Sequence, residues 1–315
     1  MELDVRRLRI LREVALRGTV TAAAQSLGFT PSAVSQQLSA LERESGATLL
    51  ERAGRRVRLT DVGQVLVQRT EPVLAALEDA QAAVEEARDS ITGELRVAAA
   101  GSVARALVVP VVARLAGALP ALRVTVLECE TGDSVRELRL GHLDVVIAHE
   151  YSGGQDQPSP EGTARVDLFT EDVCIAAPAG RHAAPVDLTA LAGAVWAAEP
   201  AQSTCGRATR AACRAAGFDP DIRYISSEPG VLLAAVRCAG AVALLPRLTV
   251  ERAPPEVDVL PVANAGIRRL VYASYRRGSA SRPGIALVLA HLEAAAGQLC
   301  RSAEPVCMIG GTATR

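Results

Sequence analysis

TVTAAAQSLGFTPSAVSQQLSALERESGATLLERAGRRVRLTDVG, residues 19–63, is the stretch whose reading decides the fold. Thr19 or Thr21 can cap a short helix whose Ala23, Ala24 and Leu27 face inward, and Gly28 ends it, because glycine accepts the left-handed conformation of a helix terminus. Phe29 is expected to fill the corner. Thr30 then caps a second helix, with Pro31 at its first position, where a missing N–H costs nothing. Val34, Leu38 and Leu41 recur at i, i+4 and i+7 as its buried stripe, and Ser32, Ser35, Gln36 and Gln37 carry the opposite face. Short hydroxyls and amides there suit phosphates and base edges, and Gln pairs with adenine in a bidentate way. A plain solvated face has the same appearance, so the neighbours decide.

Upstream, Leu8, Leu11, Val14 and Ala15 repeat at helical spacing, so residues 4–16 read as a further amphipathic helix ended by Gly18. Downstream, Arg52, Arg55, Arg56 and Arg58 crowd around Gly54, and Arg56-Val57-Arg58-Leu59 alternates like a short strand after a turn. Guanidinium groups on such a wing grip phosphates or enter a minor groove, although a charge run is also the mark of a solvated loop. Charge is unevenly spread. The chain has 315 residues and net charge -1, all its basic residues being Arg, His aside. Residues 1–60 carry ten Arg against six Asp plus Glu (+4), leaving 24 against 29 (-5) for the rest. A basic head on an acidic body assigns DNA binding to the head.

The order AAAQSLGFTPSAVSQQLSALE followed by GATLLERAGRRVRLTDVG resembles the N-terminal head of the LysR-type transcriptional regulators. Leu50 stands where that family usually has Phe, and Ser45 where it usually has Leu; both read as core substitutions. The resemblance covers nearly the whole chain. It implies a winged helix-turn-helix domain over residues 1–59, a linker helix that pairs antiparallel with a partner's over 60–92, and a regulatory domain over 93–299. DNA contacts would come from Thr30, Pro31, Ser32, Ser35, Gln36, Gln37, Arg52, Arg55, Arg56 and Arg58.

Thr60-Asp61 caps the linker helix. Leu66, Val73, Ala80 and Ala87 lie seven apart, with Leu77, Val84 and Ile91 as a second row, a coiled-coil-like seam. Packing on its own domain is the other reading; a dimer seam is preferred because no second apolar face is needed for intrachain packing. Pro72 should kink the helix or weaken its first half. Thr92-Gly93 ends it as a hinge.

From Glu94 the pattern alternates between strand and helix. Strands are expected at 94–100, 123–128, 143–148, 171–177, 194–198, 222–225, 241–245, 257–261 and 270–275. Helices are expected at 103–117 (broken by Pro110), 134–140, 206–216, 229–239 and 283–298. This is an open parallel α/β pattern. Two lobes joined by two crossovers resemble the periplasmic-binding-protein type II fold: 93–167 plus 269–299, and 168–268. Residues 152–164 and the tail 300–315 are expected to be irregular, the tail disordered.

Ligands in such sheets bind at the carboxyl ends of strands. That rule, together with the family resemblance, selects Ser102, Val103, Thr131, Gly132, His149, Ser203, Thr204 and Ser227 as effector contacts. Ser102 leads, since its hydroxyl and the following N–H groups can hold a carboxylate or phosphate; a helix cap is the competing reading. Thr131 competes with a turn residue and His149 with a packed histidine. Arg105 could meet an anionic ligand or solvent. Cys205 and Cys213 stand near, and one residue off, the reactive pair of the peroxide-sensing branch of the family. Eight residues apart on one helix they would be roughly 12 Å apart, too far to bridge without unfolding it. A redox sensor built on them is the alternative to a small-molecule sensor.

Neither a Walker A run, GxSxG, HExxH nor paired metal ligands occurs, so an enzyme, a cofactor or a metal site is not expected. Seven scattered Cys without CxxC fit a reducing cytoplasm. The first residues do not read as a signal peptide, and no run of about 18 apolar residues suggests a membrane span. Expected partners are double-stranded DNA, a small-molecule effector and further copies of the chain as homodimer or homotetramer. RNA polymerase is kept as a candidate.

Overall fold

The computed structural model describes residues 3–54, 56–87, 91–129, 131–152, 160, 162–263, 267–302 and 306–307. In the head, α1 (Val5–Arg17), α2 (Val20–Leu27) and α3 (Pro31–Ser45) start on Asp4, Thr19 and Thr30, whose side chains accept from Arg6, Ala22 and Ala33 N–H. Each ends on a glycine with positive φ: Gly18 and Gly28, as expected, and Gly46 in addition. Leu8, Leu11, Val14, Ala23, Ala24, Val34, Leu38, Leu41 and Leu49 form the core. Leu50 is half-buried against it, and Ser45 returns its hydroxyl to the Glu42 carbonyl at 3.2 Å. The wing is the antiparallel pair β1 (Leu50–Ala53) and β2 (Arg56–Leu59), tied to the α1–α2 turn by Val57 N–H on Gly18 O at 3.0 Å. Phe29 does not fill the corner: it is 55% exposed.

Helix α4 (Asp61–Glu86) is continuous through Pro72 and capped by Thr60 Oγ1, which accepts from Gly63 N–H at 3.0 Å. It has two faces. Gly63, Thr70, Leu74 and Ala82 are buried within the chain; Gly63 lies against Leu49 and Leu59, and the helix packs further on α1 and on the turn Arg277–Ser279, where Gly278 lies against the Ala75 backbone. Val73, Ala80, Val84 and Ala87 of the expected seam remain exposed, while Leu66 and Leu77 are half-buried. The expectation that no second face was needed is therefore corrected. The intrachain face was hidden because it is largely ionic: Glu71 meets Arg12 and Arg139, Glu78 meets Arg276 at 2.8 Å, and Glu85 meets Arg282 at 3.1 Å. The helix ends at Glu86, short of Thr92-Gly93; Gly93, with φ +109°, instead opens the next strand.

The regulatory domain is a curled sheet of order β10-β6-β11-β5-β3-β4. Its strands are β3 (Gly93–Ala99), β4 (Leu122–Glu128), β5 (Val145–Tyr151), β6 (Thr163–Pro178), β10 (Val257–Pro261) and β11 (Arg268–Arg276), and β9 (Ala243–Pro246) also joins β6. A separate parallel pair, β7 (Val195–Ala198) and β8 (Asp221–Ile225), completes the second lobe. Helices α5 (Gly101–Ala118), α6 (Thr131–Leu140), α7 (Thr204–Ala215), α8 (Pro229–Ala239), α9 (Arg247–Val250) and α10 (Pro283–Ser302) cover the sheets. Pro110 does not break α5. The helix loosens to a π turn at Ala104–Val108 just before it, which absorbs the lost N–H. Both α5 and α10 are long and apolar enough to cross a membrane, and both lay an apolar face on the first lobe's core.

Strand β6 is sixteen residues long and serves both lobes, its first half on β11 and its second on β9 and β10. Leu168 and Phe169 belong to the first lobe's core, and Val173 to the second's. The crossover therefore lies a few residues later than 167/168, at Glu171-Asp172 opposite Arg268-Arg269. Residues 163–164, expected as loop, begin β6. The expected tail continues α10 to Ser302 and adds β12 (Val306–Cys307) against Thr170-Glu171, with 303–305 and 308–315 outside the described residues.

Candidate functional site

The exposed face of α3 carries Pro31, Ser32, Ser35, Gln36 and Gln37, continuous with the exposed Thr30 that caps the helix. Thr30 Oγ1 is within 3.0 Å of Ser32 Oγ, and Gln37 Oε1 accepts from Arg7 Nε at 3.0 Å. Ser35 and Gln36 stand on the outer face between them. No acidic residue lies in the first turn of α3, so nothing there opposes a phosphate. Arg56 and Arg58 are on β2, and Arg52 is paired across from Val57 on β1; Arg55 lies outside the described residues. A helix N-terminus beside a basic hairpin is a surface for duplex DNA.

The second constellation lies where the two crossover strands face each other. Arg269 on β11 is register partner to Glu171 on β6, and both are buried. Arg269 Nε donates to Glu171 Oε1 at 2.7 Å, and Nη2 donates to the same carboxylate. The Arg269 guanidinium is raised above its ordinary range: burial lowers it, and the Glu171 charge and hydrogen bond, with Tyr151 and Cys205, together outweigh that. Its Nη1 donates to Ser102 Oγ at 3.1 Å. Beside it His149 is buried, edge-on to Tyr151 with ring centroids 5.7 Å apart. Burial, and secondarily the Arg269 charge, lower His149 to about 3, so its imidazole is neutral at neutral pH. Burial first, then Cys205 at the start of α7, pushes the Tyr151 phenol up.

Leu248 closes the junction from the second lobe. Its N–H donates to Glu171 Oε2 at 2.7 Å, its carbonyl accepts from Arg105 Nη2 at 2.8 Å, and its side chain enters the first lobe's core. Arg105 is exposed and reaches across to Leu248 with one N–H.

Of the expected effector residues, Ser102 and His149 share this junction. Val103 does not: its side chain is core and its N–H is held by Ala100 O at 3.0 Å. Thr131 and Gly132 open α6; their side chains lie outside the described residues. Ser203 is the cap of α7, its hydroxyl shared between Gly206 N–H and Pro200 O, and Thr204 is that helix's first residue. Ser227 is exposed beside Glu228, whose carboxylate already caps α8 through Gly230 and Val231 N–H. Arg269 and Glu171 were missed. Their signal was a charged residue at an inward position of each of two strands, Glu171 between Phe169 and Val173, and Arg269 two before Val271.

Residues 88–297 match the LysR substrate binding domain family, and residues 5–64 match the bacterial regulatory helix-turn-helix protein, lysR family. The chain belongs to the LysR family. It is a DNA-binding transcriptional regulator with a C-terminal effector domain. Among its relatives, a probable hydrogen peroxide-inducible genes activator of Mycobacterium xenopi is 34% identical over 173 residues, 55% of this chain and 88% of that one. The HTH-type transcriptional regulator ShiR of Corynebacterium glutamicum is 28% identical over 263 residues, 82% of this chain and 87% of that one. Solved structures similar in fold include a substituted full-length OxyR of Pseudomonas aeruginosa (TM-score 0.63, 21% identity, 93% of this chain and 98% of that one). Full-length CbnR in complex with its target DNA is another (TM-score 0.53, 21% identity, 93% and 100%). LysR regulators bind DNA and small-molecule effectors and form oligomers.

Proposed function

We propose that this regulator is gated by a small anionic effector, such as a carboxylate, taken up at the lobe junction by Ser102, His149 and Arg269. The observation that carries the reading is the buried Arg269 guanidinium resting on Ser102 Oγ at 3.1 Å, at the end of a strand and the start of a helix. A guanidinium matches a carboxylate in two-point geometry. Glu171 occupies that partner's place on Arg269, and an effector acts by exchanging with it. Thr131 at the N-terminus of α6 is assigned to the same site, since it follows the end of β4.

The head reads DNA through Ser35 and Gln36, with Thr30, Pro31, Ser32, Gln37 and the wing arginines, Arg55 among them, positioning it on phosphates. The exposed Val73, Ala80, Val84 and Ala87 stripe of α4 is the seam for a second copy, so the working form is a cytoplasmic homodimer or a homotetramer built from it. Helix α6 links site to head: Thr131 opens it, and its Glu137 and Arg139 meet Arg17 of α1 and Glu71 of α4.

Ser102→Ala leaves the Arg269–Glu171 pair in place and removes one hydrogen bond to a charged ligand. It should weaken the effector about 10- to 100-fold in a footprint or anisotropy titration. An effector whose affinity is unchanged in both Ser102→Ala and His149→Asn sinks the site assignment.

A peroxide sensor is the second reading, favoured by the names of the relatives. Against it, Cys205 and Cys213 are both buried, and burial pushes the Cys213 thiol up to about 12, away from the reactive thiolate. Mass spectrometry after dilute peroxide decides it: loss of two hydrogens across that pair would establish the sensor, and unmodified thiols would exclude it.

A further inference from the structure

We propose that Phe29 is a base-reading residue, its ring meeting the 5-methyl group of a thymine in the major groove. The inference rests on the DNA-binding assignment of the head. The chain has three Phe; Phe169 is fully buried and Phe218 half-buried in the regulatory domain, whereas Phe29 is 55% exposed. In a protein with 3% aromatic residues, leaving that ring in water is a loss that a corner position would have avoided.

The residue's backbone is fixed rather than loose. Gly28 holds φ +69° and Phe29 N–H bonds Ala24 O at 2.9 Å, so the residue leaves the end of α2 in a set direction. Thr30, next in the chain, is the extended N-cap of α3. Gly28, Phe29, Thr30, Pro31 and Ser32 form one exposed run, joined by Ser35 and Gln36 one turn on. A recognition helix presents its N-terminal residues to base edges, so this run is what the groove meets.

The other groups of the run suit hydrogen bonding. Thr30 Oγ1 accepts from Ala33 N–H at 3.2 Å and lies 3.0 Å from Ser32 Oγ, which leaves Ser35 and Gln36 for polar contacts. Phe29 supplies the apolar one, and in the major groove only thymine offers a methyl group to it.

The test uses the full-length protein and the operator it selects from random DNA. Each thymine is replaced in turn by deoxyuridine, which lacks the methyl group and keeps the hydrogen-bonding edge. Wild-type protein should lose about fourfold in affinity per half-site at one thymine position, the value of one buried methyl group. Phe29→Ala should bind the thymine operator more weakly by at least as much and be indifferent to deoxyuridine at that position. Phe29→Leu should retain part of the methyl preference. Melting temperature and light-scattering mass are measured for each variant. A Phe29→Ala protein that keeps the wild-type methyl sensitivity overturns the proposal. So does one whose affinity falls together with its oligomeric mass, since the ring would then serve a head-to-head contact. Failure of the wild-type protein to bind any selected DNA would strike the DNA-binding assignment itself, a separate result.

Discussion

Replacing Glu171 by Gln tests the junction most directly. Gln keeps the shape, but its one carbonyl oxygen can accept from either the Leu248 N–H or Arg269, so the charge opposite Arg269 and one of the two acceptor positions are lost together. Glu171 is fully buried and takes two of the guanidinium's hydrogen bonds; the third described one goes to neutral Ser102. Breaking a buried pair by removing one partner costs about 3–5 kcal/mol, because the remaining charge is left uncompensated. With a urea slope of about 2 kcal/mol per M, the midpoint should fall by about 2 M. The chain's single Trp, Trp196, is buried in the second lobe with its N–H on Leu191 O at 3.3 Å, so its fluorescence follows that lobe's unfolding. Arg269→Met combined with Glu171→Leu should recover most of the loss, as apolar replacements of buried pairs do. Added acetate should stabilise Glu171→Gln more than wild type, since the anion can take the vacated partner position. A midpoint shift below about 0.5 M, or equal acetate effects on both proteins, would refute the reasoning.

His149 titrates at about 3 in the folded chain against about 6.5 unfolded, so between those values only the unfolded state binds the proton. Its stabilisation is complete above pH 6.5 and declines as pH falls toward 3; urea midpoints should show a loss of about 2 kcal/mol from pH 6.5 to 5, and His149→Asn should flatten that slope. A Cβ at Gly63 would run into the Leu49 carbonyl oxygen, so Gly63→Ala should destabilise the head by about 1–3 kcal/mol and shift its melting while leaving the Trp196 transition in place. Arg58→Ala should reduce the salt slope of DNA affinity by about one unit, equally on all sequences, whereas Gln36→Ala should relax base preference. Unchanged slope or unchanged preference, respectively, would remove those residues from the interface.

The head was legible because its signals are local. Caps at Thr19, Thr30 and Thr60, stops at Gly18 and Gly28, and the 34/38/41 stripe each act within a turn of helix. Phe29 was misplaced for the opposite reason: hydrophobicity argues for burial, and no local pattern says that a partner outside the chain takes that role. Nine of the ten described strands of the regulatory domain could also be read, but β12 fell in the expected tail and β6 appeared as 171–177 instead of Thr163–Pro178. Its first half, ARVDLFTE, alternates charge with apolar residues and looks like a loop until β11 is placed beside it. For Glu171 and Arg269, 98 residues apart, only the paired register of the two crossovers reveals that they meet. The ionic face of α4 was invisible likewise, because a glutamate paired within the chain and one facing water have the same sequence.

The magnitudes separate the element that sets the state from those that report it. Arg17 is about one-fifth exposed and bonds Glu13, Ser26 and Glu137 at 2.9 Å each; Glu137 also accepts from His142 at 2.8 Å. Burial raises the Glu137 carboxyl, but the bonds from His142 and Arg17 outweigh it and leave it lowered. A part-exposed ion pair of this kind contributes roughly 0.2–1 kcal/mol, several times less than the cost of leaving buried Arg269 without its partner charge. No single contact between α6 and the head is therefore strong enough to set the state of the regulatory domain. Under the proposed gating the leverage lies at the crossover, where Glu171 holds the Leu248 N–H and Arg105 its carbonyl, and an effector that took Glu171's place on Arg269 would displace that carboxylate. An effector shifts the population only by the difference in its affinity for the two forms. Placing that difference on a buried charge gives the largest shift for a small molecule, and the weak contacts of Arg17, Arg139 and Glu71 then follow the domain without resisting it.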